Sequence, residues 1–224
     1  EAISPDSPSL EVVGFVKDND EPAILLYHPS LGVSAMTLTT KTVPKRLEGV
    51  SEFVQVQAIS ATNELLILKE DRLLLQTYLS KKKSLVLPLD TKPLWCTVSG
   101  NGSVLAVATE SAVDFYDLAK FRSKPRDPKL KIFDAQYKLG DGQMRLSPNG
   151  RWFAGYEKSA TKSGIILDLE NGDEQRFNTL GNAKSIHIDD EGQYCFFDEK
   201  WRLNGYSPTV LNSRGGISEL SFKH

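Results

Sequence analysis

Three polar stretches concentrate the cations of this chain, and the chemistry they offer is electrostatic. The first holds Lys41, Lys45 and Arg46, the second Lys81, Lys82 and Lys83, the third Lys120, Arg122, Lys124, Arg126, Lys129 and Lys131 with only Asp127 opposing. Such groups bind carboxylates or phosphates by screened attraction. Covalent and acid-base chemistry has far less to work with. His28, His187 and His224 have no partner at metal or triad spacing, and His187 alternates with Ile186 and Ile188 as a structural or surface histidine does. Cys96 and Cys195 lie in the apolar runs LWCTV and YCFF, where a free thiol is a small hydrophobe. There is no C-x-x-C, G-x-S-x-G or P-loop sequence. The acidic clusters at 18–21 and 189–191 supply oxygens but lack the alternating spacing of a calcium loop, so they read as solvated turns. No catalytic residue, metal or cofactor is expected.

The elements that must position these cations are strands. Residues 147–177, SPNGRWFAGYEKSATKSGIILDLENGDEQRF, state the pattern in full: an Asn-Gly turn, an apolar run from Trp152 to Tyr156, a second run from Gly164 to Leu169, and another Asn-Gly turn. The same order recurs in worn form. It appears as LEVVGFV, AILLYH and VSAMTLT; as FVQVQAIS, ELLILKE, RLLLQTYL and SLVLPLD; as LWCTVS, VLAVATE, AVDFYDL and LKIFD; and as SIHID, QYCFFD and WRLNGY. Aligning the final turn residues Asp20, Asn63, Gly102, Gly150 and Gly192 gives spacings of 43, 39, 48 and 42. A period of about 40 to 45 with short strands marks sheets that bury their faces against their neighbours. Helices are not expected, and residues 119–129 read as a long polar loop. The glycines of 140–142 read as part of a connection.

These units resemble WD40-type β-propeller blades. Ser147-Pro148-Asn149-Gly150-Arg151-Trp152-Phe153-Ala154 and Ser99-Gly100-Asn101-Gly102-Ser103-Val104-Leu105-Ala106 match the family's first-to-second strand turn. Tyr116-Asp117-Leu118 and Leu167-Asp168-Leu169 match its Trp-Asp position, while the Gly-His pair is missing throughout. The resemblance spans roughly residues 10–222. It implies an all-β chain, a β-propeller of about five four-stranded antiparallel blades, complete or open and partial, serving as a scaffold for protein partners rather than as an enzyme. The expected organisation is a tail at 1–9 and a propeller domain at 10–224, with units near 10–50, 51–91, 92–134, 135–179 and 180–224. Ile24, Leu66, Leu105, Phe153 and Phe196 are expected on second strands, between blades, and 217–222 as a closing strand.

Net charge is -2, from 27 basic and 29 acidic residues, which argues against bulk nucleic-acid binding and membrane adsorption. No apolar run approaches the ~18 residues of a membrane span. The start at Glu1 suggests a processed or excised piece, which leaves secretion as the alternative, and the buried-type cysteines favour a reducing compartment, cytoplasmic or nuclear. In a four-stranded blade the first-to-second and third-to-fourth connections emerge on one face. The three basic stretches take third-to-fourth positions in units one to three, while Glu170, Asp173, Glu174, Asp189, Asp190 and Glu191 fall on the same face of units four and five. One face should therefore carry a basic and an acidic arc.

Two function classes follow. The favoured one is a non-catalytic interaction module whose partner is a protein with an acidic segment; a nucleic-acid backbone is less favoured, since only Phe121 among these loops could stack on bases. The alternative is a propeller binding a carbohydrate or other small ligand, with Trp95, Trp152 and Trp201 as the large aromatics. Its glycosidase form is disfavoured because the innermost strands offer Glu11, Gln55, Trp95, Gln143 and Lys184, which is poor in acids.

Overall fold

The computed structural model describes residues 11–30, 32–39, 45–47, 50, 52–78, 84–126, 131–135, 139–157, 163–178, 183–198 and 203–206. They form five antiparallel sheets, each a meander of strands in chain order. The first is β1 (Glu11–Asp18), β2 (Glu21–His28), β3 (Gly32–Thr37) and β4 (Lys45–Arg46); the second is β5 (Gln55–Ile59), β6 (Glu64–Leu68), β7 (Arg72–Thr77) and β8 (Leu85–Pro88). The third is β9 (Trp95–Val98), β10 (Val104–Ala108), β11 (Val113–Asp117) and, after helix α1 (Leu118–Ser123), β12 (Lys131–Ala135). The fourth is β13 (Leu139–Leu146), β14 (Trp152–Glu157), β15 (Ser163–Asp168) and β16 (Glu174–Asn178). The fifth has three described strands, β17 (Ala183–Ile188), β18 (Tyr194–Asp198) and β19 (Leu203–Tyr206). Trp201 and the expected closing strand 217–222 lie outside the described residues. The architecture is all-β, with blades of propeller type.

The chain divides into two compact units, Glu1–Asp90 and Thr91–His224. In the first unit β1 runs beside β5. Val16, Ala23, Leu25, Val33 and Ala35 of the first sheet pack on Val56, Leu65, Ile67 and Tyr78 of the second, and Tyr27 meets Phe53 edge-on at 5.2 Å. In the second unit β13 runs beside both β9 and β17.

Side-chain alternation explains the unbroken apolar runs. Successive strand residues point to opposite faces, so a sheet covered on both sides needs apolar residues at every position. Along β14 and β15, Phe153, Ile165 and Leu167 face the third sheet, joining Ala106, Ala108, Val113 and Phe115, and Phe115 meets Phe153 edge-on at 5.0 Å. The intervening Ala154, Tyr156 and Ile166 face the fifth sheet with Ile186, Ile188 and Phe196. Leu66, Leu105, Phe153 and Phe196 are fully buried. Ile24 is the exception: it is half-buried, because the parity of β2 turns Ala23 and Leu25 to the core instead.

Other expectations need correction. The end of the expected third strand and the start of the polar loop 119–129 form α1, whose Leu118 and Phe121, three residues apart, are buried. Gly140, Asp141 and Gly142 lie within β13, at an irregularity between the pairs Leu139–Glu157 and Met144–Gly155, not in a connection. Lys45, Arg46 and Lys131 belong to fourth strands rather than to the connections before them. Antiparallel pairing reaches them through Ala35–Lys45, Ser34–Arg46 and Tyr116–Lys131.

Candidate interaction face

The first-to-second strand turns of the second unit share one hydrogen-bonded design, set by Ser-x-Asn-Gly. In turn 99–103 the Ser99 hydroxyl donates to Asn101 Oδ1 (2.7 Å) and accepts from the Val104 amide (3.0 Å). The same Asn101 oxygen accepts from the Ser103 amide (2.9 Å). Turn 147–151 repeats this: Ser147 Oγ donates to Asn149 Oδ1 (2.8 Å), which accepts from the Arg151 amide (2.9 Å), while Trp152 donates its amide to Ser147 Oγ (3.0 Å). In turn 189–193 Asp189 stands at the serine's position, its Oδ1 accepting from the amides of Glu191 (3.1 Å) and Gln193 (2.8 Å). Ser99 and Ser147 are buried and committed to these bonds, so they are structural hydroxyls and not nucleophiles.

The turns also bond to one another. The Asn101 amide donates to the Pro148 carbonyl (2.8 Å) and Asn101 Nδ2 to the Asn149 carbonyl (2.9 Å). The Asn149 amide in turn donates to Asp190 Oδ1 (2.7 Å). Three successive blades are thus laced together along one face. The first unit has its own version, in which the Lys17 amide donates to Asn63 Oδ1 (2.7 Å) and Asn63 Nδ2 returns the bond to the Lys17 carbonyl (3.0 Å).

Helix α1 stands beside the third sheet's turn because both connections leave the sheet at the same end. Asp117 caps it, accepting from the Lys120 amide (2.8 Å). The Leu118 amide donates to the Ser103 carbonyl (2.8 Å), and Arg122 Nη1 donates to the Gly102 carbonyl (2.8 Å). Arg122 is therefore spent on fixing the helix. Lys120 is half-buried, whereas Lys124 and Arg126 are exposed. Neither Lys124 nor Arg126 has a carboxylate partner among the described residues.

Of the remaining cations expected to form the basic arc, Lys41, Lys81, Lys82, Lys83 and Lys129 lie outside the described residues, as do the side chains of Lys45 and Lys131. Arg46 is exposed on β4. The acidic residues of the fourth and fifth sheets are largely engaged in holding turns. Asp168, almost fully buried, accepts from Arg151 Nη2 (2.7 Å) and from the Glu170 amide (3.0 Å), and Glu170 pairs with Arg151 Nη1 (3.0 Å). The Arg151 hydrogen bonds hold the Asp168 carboxyl below the usual range, against the opposing effect of burial. Glu174 pairs with Arg176.

The described aromatic and imidazole candidates are packed or bonded within the fold, although the buried Trp95 indole N–H has no hydrogen-bond partner among the described residues. The Arg151 guanidinium lies 5.2 Å from the centre of the Trp152 ring, and that indole packs in the cluster between the fourth and fifth sheets. Trp95 packs against the cluster between the third and fourth. His187 shares a 2.6 Å hydrogen bond with Ser185 Oγ, and His28 Nδ1 meets Ser30 Oγ at 2.9 Å. The described residues contain no group of three histidine, cysteine or acidic side chains able to hold a metal, and none of their helices could cross a membrane.

No protein-family model matches this chain, and no curated protein matches it. Solved structures do. The β-propeller domain of Cps50 (Swd1) from Myceliophteria thermophila aligns with a TM-score of 0.62 at 13% identity, covering 88% of this chain and 68% of that one. A chain of a mitotic checkpoint complex aligns at 0.57 and 8% identity, covering 86% and 62%. Hydrazine synthase of Kuenenia stuttgartiensis aligns at 0.52 and 14% identity, covering 88% and 58%. The chain thus spans about three-fifths to two-thirds of the length of these proteins. At such identity the likeness is one of fold alone, that of a β-propeller.

Proposed function

We propose that this chain is a non-catalytic interaction module of a larger assembly, and that it docks a protein partner bearing an acidic segment on α1 and the turn beneath it. One observation carries this reading. Asp117, Leu118, Phe121 and Arg122 fix a short helix to the 99–103 turn, leaving Lys124 and Arg126 in solvent without carboxylate partners among the described residues. A rigid mount lowers the ordering cost of binding. Phe121, the aromatic that could have stacked on a base, is buried, which favours a carboxylate-bearing protein over a single-stranded nucleic acid. Membership of one structural neighbour in a mitotic checkpoint complex is in keeping with an assembly role.

The test is quantitative co-purification from the source cells, using tagged wild type and a Lys124→Ser, Arg126→Ser, Lys129→Ser variant. The reading requires a stoichiometric protein partner that the variant loses while its melting temperature stays unchanged. Equal recovery by both proteins contradicts it.

A further inference from the structure

We propose that the first unit holds a separate recognition site, formed by the Asp18 and Glu21 carboxylates with the Tyr78 hydroxyl, that takes a primary ammonium group such as the end of a lysine side chain. It uses no residue of α1. Asp18 and Glu21 close the β1–β2 hairpin as a directly opposed cross-strand pair. Each lies two residues from a core residue of its own strand, Val16 and Ala23, so both carboxylates stand on the face turned to the second sheet. Both residues are half-buried. Among the described residues the Asp18 carboxylate accepts from Asn19 Nδ2 (3.2 Å) and that of Glu21 from Thr39 Oγ1 (2.6 Å), and neither has an ion-pair partner. Like charges directly opposite on one face destabilise a hairpin.

The second sheet brings an orphaned polar group to the same place. Asn63 holds the backbone of Lys17, next to Asp18, through Oδ1 and Nδ2 (2.7 and 3.0 Å), and its carbonyl accepts from the Tyr78 amide (2.9 Å). Tyr78 is 5% exposed and shares a core cluster with Val16 and Ala23, yet its hydroxyl has no hydrogen-bond partner. Burial first, and then the Asp18 charge, push that hydroxyl up to about 12, so the carboxylate acts on it directly. A buried polar atom without a partner calls for one. The two uncompensated carboxylates beside it decide that the partner is a cation. They are too few for calcium, which takes about six to eight oxygens. Acceptors contributed by two facing sheets suit the compact ammonium, with its three donors, better than the planar fork of a guanidinium. With nothing bound, these groups lower stability instead of adding to it, and that separates a recognition site from a structural one.

Saturation-transfer NMR of the full chain with a peptide of about eight residues, neutral apart from one central lysine, tests the proposal. Wild type should bind it with a dissociation constant on the order of 0.1–1 mM. Acetylating the lysine should abolish binding, and arginine in its place should weaken it. Asp18→Asn and Glu21→Gln should each weaken binding by about tenfold and Tyr78→Phe by about threefold, while all three variants melt at or above the wild-type temperature. The Lys124→Ser, Arg126→Ser, Lys129→Ser variant should bind the lysine peptide as wild type does, which keeps this site distinct from the docking of an acidic segment on α1. Displacement of the peptide by n-butylamine would show that the ammonium alone suffices; peptide binding that n-butylamine does not displace would assign the site to lysine within a chain. No transfer to the lysine peptide at about 1 mM overturns the proposal. So does equal binding of the acetylated peptide, or binding that Asp18→Asn and Tyr78→Phe leave unchanged.

Discussion

Asn101 Nδ2 donates to the Asn149 carbonyl across 2.9 Å, joining a turn of the third sheet to the corresponding turn of the fourth. The same asparagine closes its own turn through Oδ1, which accepts from Ser99 Oγ, the Ser103 amide and Ser103 Oγ. One side chain thus settles both a local conformation and a contact between blades. Replacing Asn101 with Ala removes these bonds and leaves partners unsatisfied, a loss of about 1–3 kcal/mol. Urea unfolding should show a lower midpoint with an unchanged m-value.

Three glycines with positive φ should differ in their tolerance of a side chain. Gly150 has φ +82°, and an added Cβ would lie 2.9 Å from Val104 Cγ2; Gly192 has φ +77°, and its Cβ would enter the Trp152 ring at 2.7 Å. Gly172 has φ +80° but open space around it. Gly172→Ala should cost only the left-handed strain of about 1–2 kcal/mol, and Gly150→Ala or Gly192→Ala at least about 1 kcal/mol more through overpacking. Thermal melts of the three variants give the ranking directly.

Asp168 makes stability depend on pH with a definite sign. Its folded-state pKa is depressed, first by the Arg151 hydrogen bond, so its contribution is complete above the unfolded value near ~3.9 and is lost as pH falls through the folded one. Asp168→Asn should therefore be destabilised relative to wild type at neutral pH. The gap should narrow steadily below about pH 4. A gap that stays constant in acid would assign the loss to shape and not to charge.

Neither Cys96 nor Cys195 is in a disulfide; both are buried, and burial pushes each thiol up to about 12. Both should be protonated at pH 8 and resist a thiol reagent in the folded protein. In denaturant both should react fully. Rapid labelling of the native chain at either position would place that thiol at the surface.

The architecture was legible where backbone conformation and residue type coincide. All five aligned turn residues, Asp20, Asn63, Gly102, Gly150 and Gly192, have positive φ, which is why only Gly, Asn and Asp occur there and why the period could be counted. Strand parity was less visible. In a run such as Ala23 to Tyr27 every residue is apolar, so nothing in the types says that Leu25 and not Ile24 meets the core.

The candidate face was read only in part. Cation positions were plain, but what holds them was not, because α1 is a six-residue helix with two buried residues and no periodicity to detect. Its signals were the capping Asp117, the Leu118–Phe121 spacing and Pro125 just beyond its end. Nor does the sequence distinguish Arg122, committed to the Gly102 carbonyl, from Lys124 and Arg126, which face solvent. That distinction comes from the fold bringing a turn under the helix. The Ser-x-Asn-Gly repeat at 99–102 and 147–150 marked turns, while the bonds between those turns arise only from blade stacking.

The most direct test of the docking face is a fluorescence-anisotropy titration with a labelled peptide of about 20 residues rich in Asp and Glu, at about 50 and 200 mM salt. Wild type should bind it measurably, with affinity falling as salt rises, because exposed cations act through screened attraction. The Lys124→Ser, Arg126→Ser, Lys129→Ser variant should lose about tenfold in affinity at the lower salt while melting as wild type does, and a single-stranded oligonucleotide of equal charge should bind more weakly than the peptide. Equal affinity of variant and wild type for the peptide would contradict the assignment of α1 as the docking element.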